Sequence, residues 1–265
     1  LIIFYCAILA IVCYLSAAFL LLRRPARLSL RPIFLGLSFT GMLLHGIALA
    51  KQMLTPSGID LGFFSTLALI SLMVVFLYLL ALLDKPVDKL GLAVLPLAAL
   101  ALGLRLVFPA EVHILTNLGP AMQAHILVSL LAFSLLNIAA LQALLLTCQD
   151  FQLHRKRSSW FLRSLPPLET MEALLFQMIG VGFFLLSLSL VSGFWFIEDL
   201  FAQHLAHKTV LSLLSWLVFG VLLWGRLSFG WRGRTAVRWT LAGFGVLLLA
   251  YFGSKLVLEI ILRRT

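Results

Sequence analysis

The gaps between the long apolar runs of this chain alternate in charge, and every second gap holds most of its 20 lysines and arginines. Arg23, Arg24, Arg27 and Arg31 follow the first run; Lys85 and Lys89 follow the third. Arg155, Lys156, Arg157 and Arg163 follow the fifth, and Arg226, Arg232, Arg234 and Arg238 follow the seventh. The intervening gaps are nearly bare of basic charge. Short loops rich in Lys and Arg stay cytoplasmic, so the alternation predicts eight crossings of a bilayer and the direction of each, with the N-terminus outside.

Apolar runs of about 20 residues span a hydrocarbon core about 30 Å thick as helices, and are about twice as long as a barrel strand requires. They are placed at 2–22, 32–54, 61–83, 90–108, 120–148, 173–196, 207–225 and 239–262. With 62% hydrophobic and 11% charged residues and a mean hydropathy of +1.10, the chain has too little polar surface to coat a globule in water. The expected fold is all-α: a polytopic transmembrane helical bundle forming a single integral membrane domain over residues 1–265. In the first run the positive cluster follows the apolar stretch, which predicts a retained N-out anchor and not a cleavable signal peptide.

A net charge of +10 would suit nucleic acid, but these cations form belts beside helix ends, where anionic lipid attracts them. Nucleic-acid binding is therefore not expected. Trp160, Trp231 and Trp239 lie in or beside the same belts, as interfacial aromatics do. Cys6 and Cys13 are seven residues apart on one helix, about 10 Å, too far for a disulfide. Cys148 stands alone, and without Cys-x-x-Cys or Cys-x-x-Cys-His the chain lacks the usual thiol-oxidoreductase and c-type haem attachment motifs.

Histidines are the main carriers of possible chemistry. His154 sits among the cytoplasmic basic residues and reads as loop filler. His113, His204 and His207 fall in the outer loops or at the start of the seventh span. His45 lies about 13 Å below the outer end of the second span, and His125 about 7 Å into the fifth. An imidazole at membrane depth is costly and marks either a functional site or a hydrogen bond across a helix interface. Ser38, Gly41 and His45 share a small-residue face that another helix or a flat ligand can approach; Ser129 shares a face with His125. Neutral imidazole suits iron, zinc and copper, but no intramembrane acid or cysteine joins these two to make a four-ligand site. Haem b needs one or two axial side chains and an apolar slot, and fits the inventory better than a bare ion. Arg105, Lys51 and Lys208 could pair with haem propionates at the outer mouth, or could snorkel to headgroups.

Two further stretches admit two readings each. The turn carrying Arg226, Arg232 and Arg234 could hold a phosphate or lipid headgroup, or could simply be a topology anchor with an interfacial Trp. Ser189-x-x-x-Gly193 offers a close-packing seam.

Gln123-Ala124-His125-Ile126, His207-Lys208-Thr209 with Trp216, Gly225-Arg226, Gly230-Trp231-Arg232-Gly233-Arg234 and Tyr251-Phe252-Gly253-Ser254-Lys255 resemble the cytochrome c assembly protein family of CcmC, CcsA and HemX-like proteins, nearest its HemX-like branch. The resemblance covers nearly the whole chain in span number and loop order. It implies a bacterial inner (plasma) membrane location, haem handling, and cytochrome c maturation components as partners. It also makes His125 the histidine that flanks the family's tryptophan-rich outer loop, and matches His45 to a histidine in an earlier span. At the place of that loop the chain has Gly193-Phe194-Trp195-Phe196-Ile197-Glu198-Asp199, and two later family histidines are replaced near Trp224 and near Gly253 or Ser254.

The resulting expectation is an outward-facing haem b pocket formed mainly by the second, fifth, sixth and seventh spans. His45 and His125 would be axial ligands or successive stations, and Arg105, His207 and Lys208 would lie around the propionates. Binding is expected, not bond-making enzymology. The alternative is a haem-free accessory subunit that stabilises or regulates a membrane transporter or an assembly complex. A proton carrier fits less well, because no span centre holds an acid of the kind used in proton relays; Glu259, one turn from Lys255, reads as its ion-pair partner.

Overall fold

A computed structural model describes residues 2–22, 30–55, 58–60, 62–108, 114–115, 119–154, 165–196 and 203–253. Eight helices among the described residues are long and apolar enough to cross a membrane, and the fold is all-α apart from three very short strands. The sequence reads as one membrane domain; its helices group into two compact units, residues 1–118 and 119–264.

In the first unit, α1 (Ile2–Leu22), α2 (Arg31–Met53), α3 (Phe63–Asp84) and α4 (Gly91–Val107) form a four-helix bundle in which α1 packs on α2 and α4, and α3 on α4 and α2. In lipid a helix does not separate inside from outside by polarity, because tails are as apolar as leucine; small residues mark the packed face. In α1, Ala7, Ala10, Tyr14 and Ala17 are fully buried, while Ile8, Leu15 and Phe19 point out. The one large residue on that face needs a partner without a side chain. Gly41 of α2 provides it: a Cβ there would sit 2.9 Å from the Tyr14 ring.

The connection into α4 is a 3-10 turn, Asp88–Leu90. The Tyr78 hydroxyl donates to the Asp88 carbonyl at 2.9 Å, and Lys89, read from sequence as a belt cation, is buried and donates to the Leu21 carbonyl at 3.1 Å. That carbonyl lies in the last turn of α1, where helix acceptors lack intrahelical partners. At the opposite end of the unit, β1 (Leu54–Thr55), β2 (Gly58–Asp60) and β3 (Ile114–Leu115) pair antiparallel in that order, with Leu54 opposite Ile59 and Ile59 opposite Leu115.

The second unit contains α5 (Pro120–His154), α6 (Leu168–Phe196), α7 (Gln203–Phe229) and α8 (Gly233–Leu248), the last continuing into a π-helical turn at Leu249–Gly253. Here α5 packs on α6 and α8, and α7 on α6 and α8. Residues 230–232 alone join α7 to α8. Gly230 and Gly233 take φ of 66° and 53°, a region L side chains rarely adopt. Trp231 folds back so that its N–H donates to the Gly225 carbonyl at 3.2 Å, and its indole lies where a Gly225 side chain would be.

Several helices overrun their apolar runs. The fifth extends to His154, the sixth starts at Leu168 directly after Pro166-Pro167, the seventh reaches Phe229 and the eighth starts at Gly233. Arg226, Arg234 and Arg238 are consequently helical. The basic residues at 23, 24, 27, 155–157 and 163, together with Trp160, His113, Glu198, Asp199 and positions 254–262 of the eighth span, lie outside the described residues. So do the side chains of His154 and His204.

Candidate functional site

His125, one and a half turns into α5, is half-buried against α6. Its ring fits there because position 193 is glycine, where a Cβ would stand 3.0 Å from the imidazole Cε1. The seam Ser189-x-x-x-Gly193 therefore accommodates a side chain as well as a backbone. His125 Nδ1 lies 2.9 Å from the Ser192 hydroxyl, and that hydroxyl donates its single proton to the Ser189 carbonyl at 3.0 Å. Toward His125 it can only accept. In that arrangement Nδ1 carries the ring proton and the Nε2 lone pair is open, and Nε2 has no hydrogen-bond partner among the described residues.

Below the imidazole, the Ser129 hydroxyl donates to the His125 carbonyl at 2.7 Å and contacts the Ser189 hydroxyl at 2.6 Å. The second contact ties α5 to α6 beside a cavity of about 420 Å³ lined by His125, Ser129, Ser189, Gly193, Lys208 and Tyr251, with apolar walls including Leu186 and Leu213. The volume lies within the roughly 300–1,000 Å³ of small-molecule sites. Lys208 of α7 holds its ammonium 5.0 Å from the centroid of the Tyr251 ring, a cation–π arrangement. Tyr251 belongs to the π turn, a deformation frequent at functional sites, and is backed by the buried Phe133 ring at 4.6 Å.

The sequence-predicted residues thus separate. His125 and Lys208 come together on one cavity, built by the fifth, sixth and seventh spans with Tyr251 of the eighth. His207 is exposed beside Lys208, and Lys51 is exposed at the end of α2. His45, in the first unit, is fully buried. Its small-residue face receives helix α1 and not a flat ligand: the Tyr14 hydroxyl lies 3.3 Å from Nδ1, and the Tyr14 ring fills the space over Gly41. His45 Nε2 is nevertheless buried with no partner in the described structure, an arrangement that costs about 1–3 kcal/mol if nothing binds it. Arg105, also in the first unit, pairs with Asp60 at 3.3 Å, with side-chain exposures of 12% and 3%. Two arginines of the Arg226–Arg234 stretch are committed internally: Arg226 donates to the Trp231 carbonyl at 3.2 Å and lies over the Phe176 ring, and Arg234 pairs with Asp150 at 3.0 Å; Arg232 is exposed.

Sequence reasoning missed Ser192, Tyr14 and Asp60. Ser192 could have been found as the residue one turn after a serine and next to the glycine of the seam; Tyr14 and Asp60 gave no local signal.

Ser192→Ala removes the side-chain partner of His125 Nδ1. Were the imidazole to hold a metal, loss of such an outer partner would weaken the site by about 10- to 100-fold, and a metalloporphyrin titration should then show that weakening with the unfolding temperature nearly unchanged.

These features define a class, a multi-pass α-helical membrane protein with a histidine-bearing cavity near one end of its second helical unit. The family model described as cytochrome C assembly protein matches residues 37–262, and the chain belongs to that family. It is 36% identical over 223 residues to "Inner membrane protein YpjD" of Escherichia coli (strain K12), covering 82% of this chain and 83% of the relative. A 28.8 kDa protein of Azospirillum brasilense is 34% identical over 140 residues, 52% of each chain. "Cytochrome c biogenesis protein CcsA" of Synechococcus elongatus is 30% identical over 91 residues, 34% of this chain and 28% of the relative. No solved structure gives a significant match. With eight membrane-length helices and a relative of this extent named for the inner membrane, the chain is a multi-pass inner membrane protein.

Proposed function

We propose that this protein binds haem b through His125 and takes part in cytochrome c biogenesis; the names of its family and of its CcsA relatives support the second part of that reading, assembly or biogenesis of cytochrome c. The observation that carries the reading is the placement of the His125 ring, with Nδ1 at 2.9 Å from the Ser192 hydroxyl and the imidazole on the cavity wall. With the Ser192 proton on the Ser189 carbonyl, Nδ1 donates to Ser192 and the Nε2 lone pair is left for a ligand.

When bound, haem b would supply an iron for which the neutral His125 imidazole would be a ligand. The protein's own residues do the rest. Gly193 lets the imidazole lie against α6, the Ser129–Ser189 contact fixes the helix that carries it, and Lys208 offers a cation to a propionate carboxylate. On this reading the basic helix ends face the cytoplasm and the His125 end faces outward, and the protein binds and passes on its cargo without catalysing a reaction.

Titrating haem into the detergent-purified protein tests the proposal. A saturable Soret band at one haem per chain is the expected result; no band, alone or after haem is supplied, would sink it. The second reading, a haem-free accessory subunit steadying a transporter or assembly complex, is favoured by one feature: Trp195 is the single tryptophan from Gly193 to Asp199, where the family resemblance implies a tryptophan-rich loop. Full function after replacement of both deep histidines, with a co-purifying partner complex, would decide for it.

A further inference from the structure

At the end of the second unit remote from His125, the last turns of α5 and the first turns of α6 and α8 enclose a groove of about 530 Å³. Its walls change character with depth. Asp150, Glu172, Arg234 and Arg238 stand in the turns nearest the helix ends, and Leu146, Leu175 and Leu241 lie one to two turns further into the spans. A groove that is charged at the membrane boundary and apolar toward the hydrocarbon has the profile of a phospholipid, and hydrogen bonding narrows the headgroup. Arg234 and Asp150 neutralise each other at 3.0 Å. Glu172 gives one carboxylate oxygen to the Gly233 N–H at 2.7 Å, and its second oxygen has no partner among the described residues. Arg238 is exposed and likewise has no partner among the described residues. One uncommitted anion and one uncommitted cation remain on the rim.

We infer that this groove is a binding site for a zwitterionic phospholipid with a primary ammonium headgroup, phosphatidylethanolamine. The phosphate lies at Arg238, the ammonium donates to Glu172, and an acyl chain lies along Leu146, Leu175 and Leu241. Both headgroup contacts are charge-assisted hydrogen bonds at the membrane boundary. A purely anionic lipid satisfies Arg238 but places no cation at Glu172; a trimethylated headgroup brings the charge but no N–H to donate. The inference stands apart from the haem reading, sharing none of its residues.

Native mass spectrometry of the whole chain, delipidated and then offered defined lipids in detergent, tests it. The expected result is one phosphatidylethanolamine retained per chain, in preference to phosphatidylglycerol and phosphatidylcholine. Arg238→Gln and Glu172→Gln should each weaken retention by about tenfold, the size expected for one charge-assisted bond. Both variants are mild: Arg238 is exposed, and the carboxamide oxygen of the second still accepts the Gly233 N–H. Leu241→Trp, which fills the apolar end, should weaken retention of all lipids offered. Equal retention of phosphatidylglycerol, unchanged retention in both glutamine variants, or equal binding of phosphoethanolamine without acyl chains would each overturn the assignment, the last by identifying a soluble headgroup compound as the ligand.

Discussion

His125→Ala is expected to lower haem affinity by more than about 100-fold, beyond the 10- to 100-fold that removal of an outer partner costs, while leaving the protein folded. The imidazole is half-buried on a cavity wall, and its Nδ1 meets the Ser192 hydroxyl at 2.9 Å. Ser192 keeps its own bond to the Ser189 carbonyl when the ring is gone, so no buried donor is stranded. The variant therefore separates ligation from folding better than most deep polar substitutions do. In His125→Gly, added imidazole can enter the vacated space and should restore the Soret band. His45→Ala provides the contrast, because it removes the ring contacted by the Tyr14 hydroxyl at the core of a helix interface. That loss should register mainly as a lowered unfolding temperature. A Soret band unchanged in His125→Ala would remove the cofactor role from this residue.

Much of the fold could be read from the sequence because lipid imposes few solutions. The charge alternation and run lengths identified the eight membrane-length helices found among the described residues. The ends were harder, for a physical reason. Hydropathy detects the hydrocarbon, whereas a helix continues as long as its backbone bonds are favourable. Gln149, Asp150 and Gln152 prolong α5, and Glu169 and Glu172 begin α6, in turns that a search for apolar runs discards.

The site was readable to the extent that its residues are costly in a membrane. His125 and His45 stand out because an imidazole at depth demands an explanation. Lys208 was visible as a cation next to a span end. What those residues touch was not visible. The bond between Nδ1 and Ser192 joins positions 67 residues apart, and that between Tyr14 and His45 joins positions 31 apart. One serine among several in α6 carries no local sign that it sets a tautomer. Lys89 illustrates the converse: charge placement read it as a belt cation, and the structure uses it to close the end of α1.

The largest expected loss of stability is in Asp60→Ala. Asp60 is 2% exposed and accepts from the Gly62 N–H at 3.0 Å, the Ser65 hydroxyl at 2.7 Å and Arg105 at 3.3 Å. Removing it strands a buried guanidinium whose Nε already lacks a partner. Breaking one side of a buried pair costs about 3–5 kcal/mol, chiefly through the charge left behind. Arg105→Met should cost less, because the carboxylate keeps its other two donors. The double variant should be more stable than Asp60→Ala alone, since neither charge then remains buried. Apparent unfolding temperatures in one detergent should therefore rank wild type above Arg105→Met, then the double variant, then Asp60→Ala. The ranking also tests what Arg105 is for. A guanidinium reserved for an external carboxylate would not depend on Asp60, and Asp60→Ala would then unfold close to the wild-type temperature. A steep loss instead makes the pair a staple, holding β2, and through it the three-stranded sheet, to the end of α4.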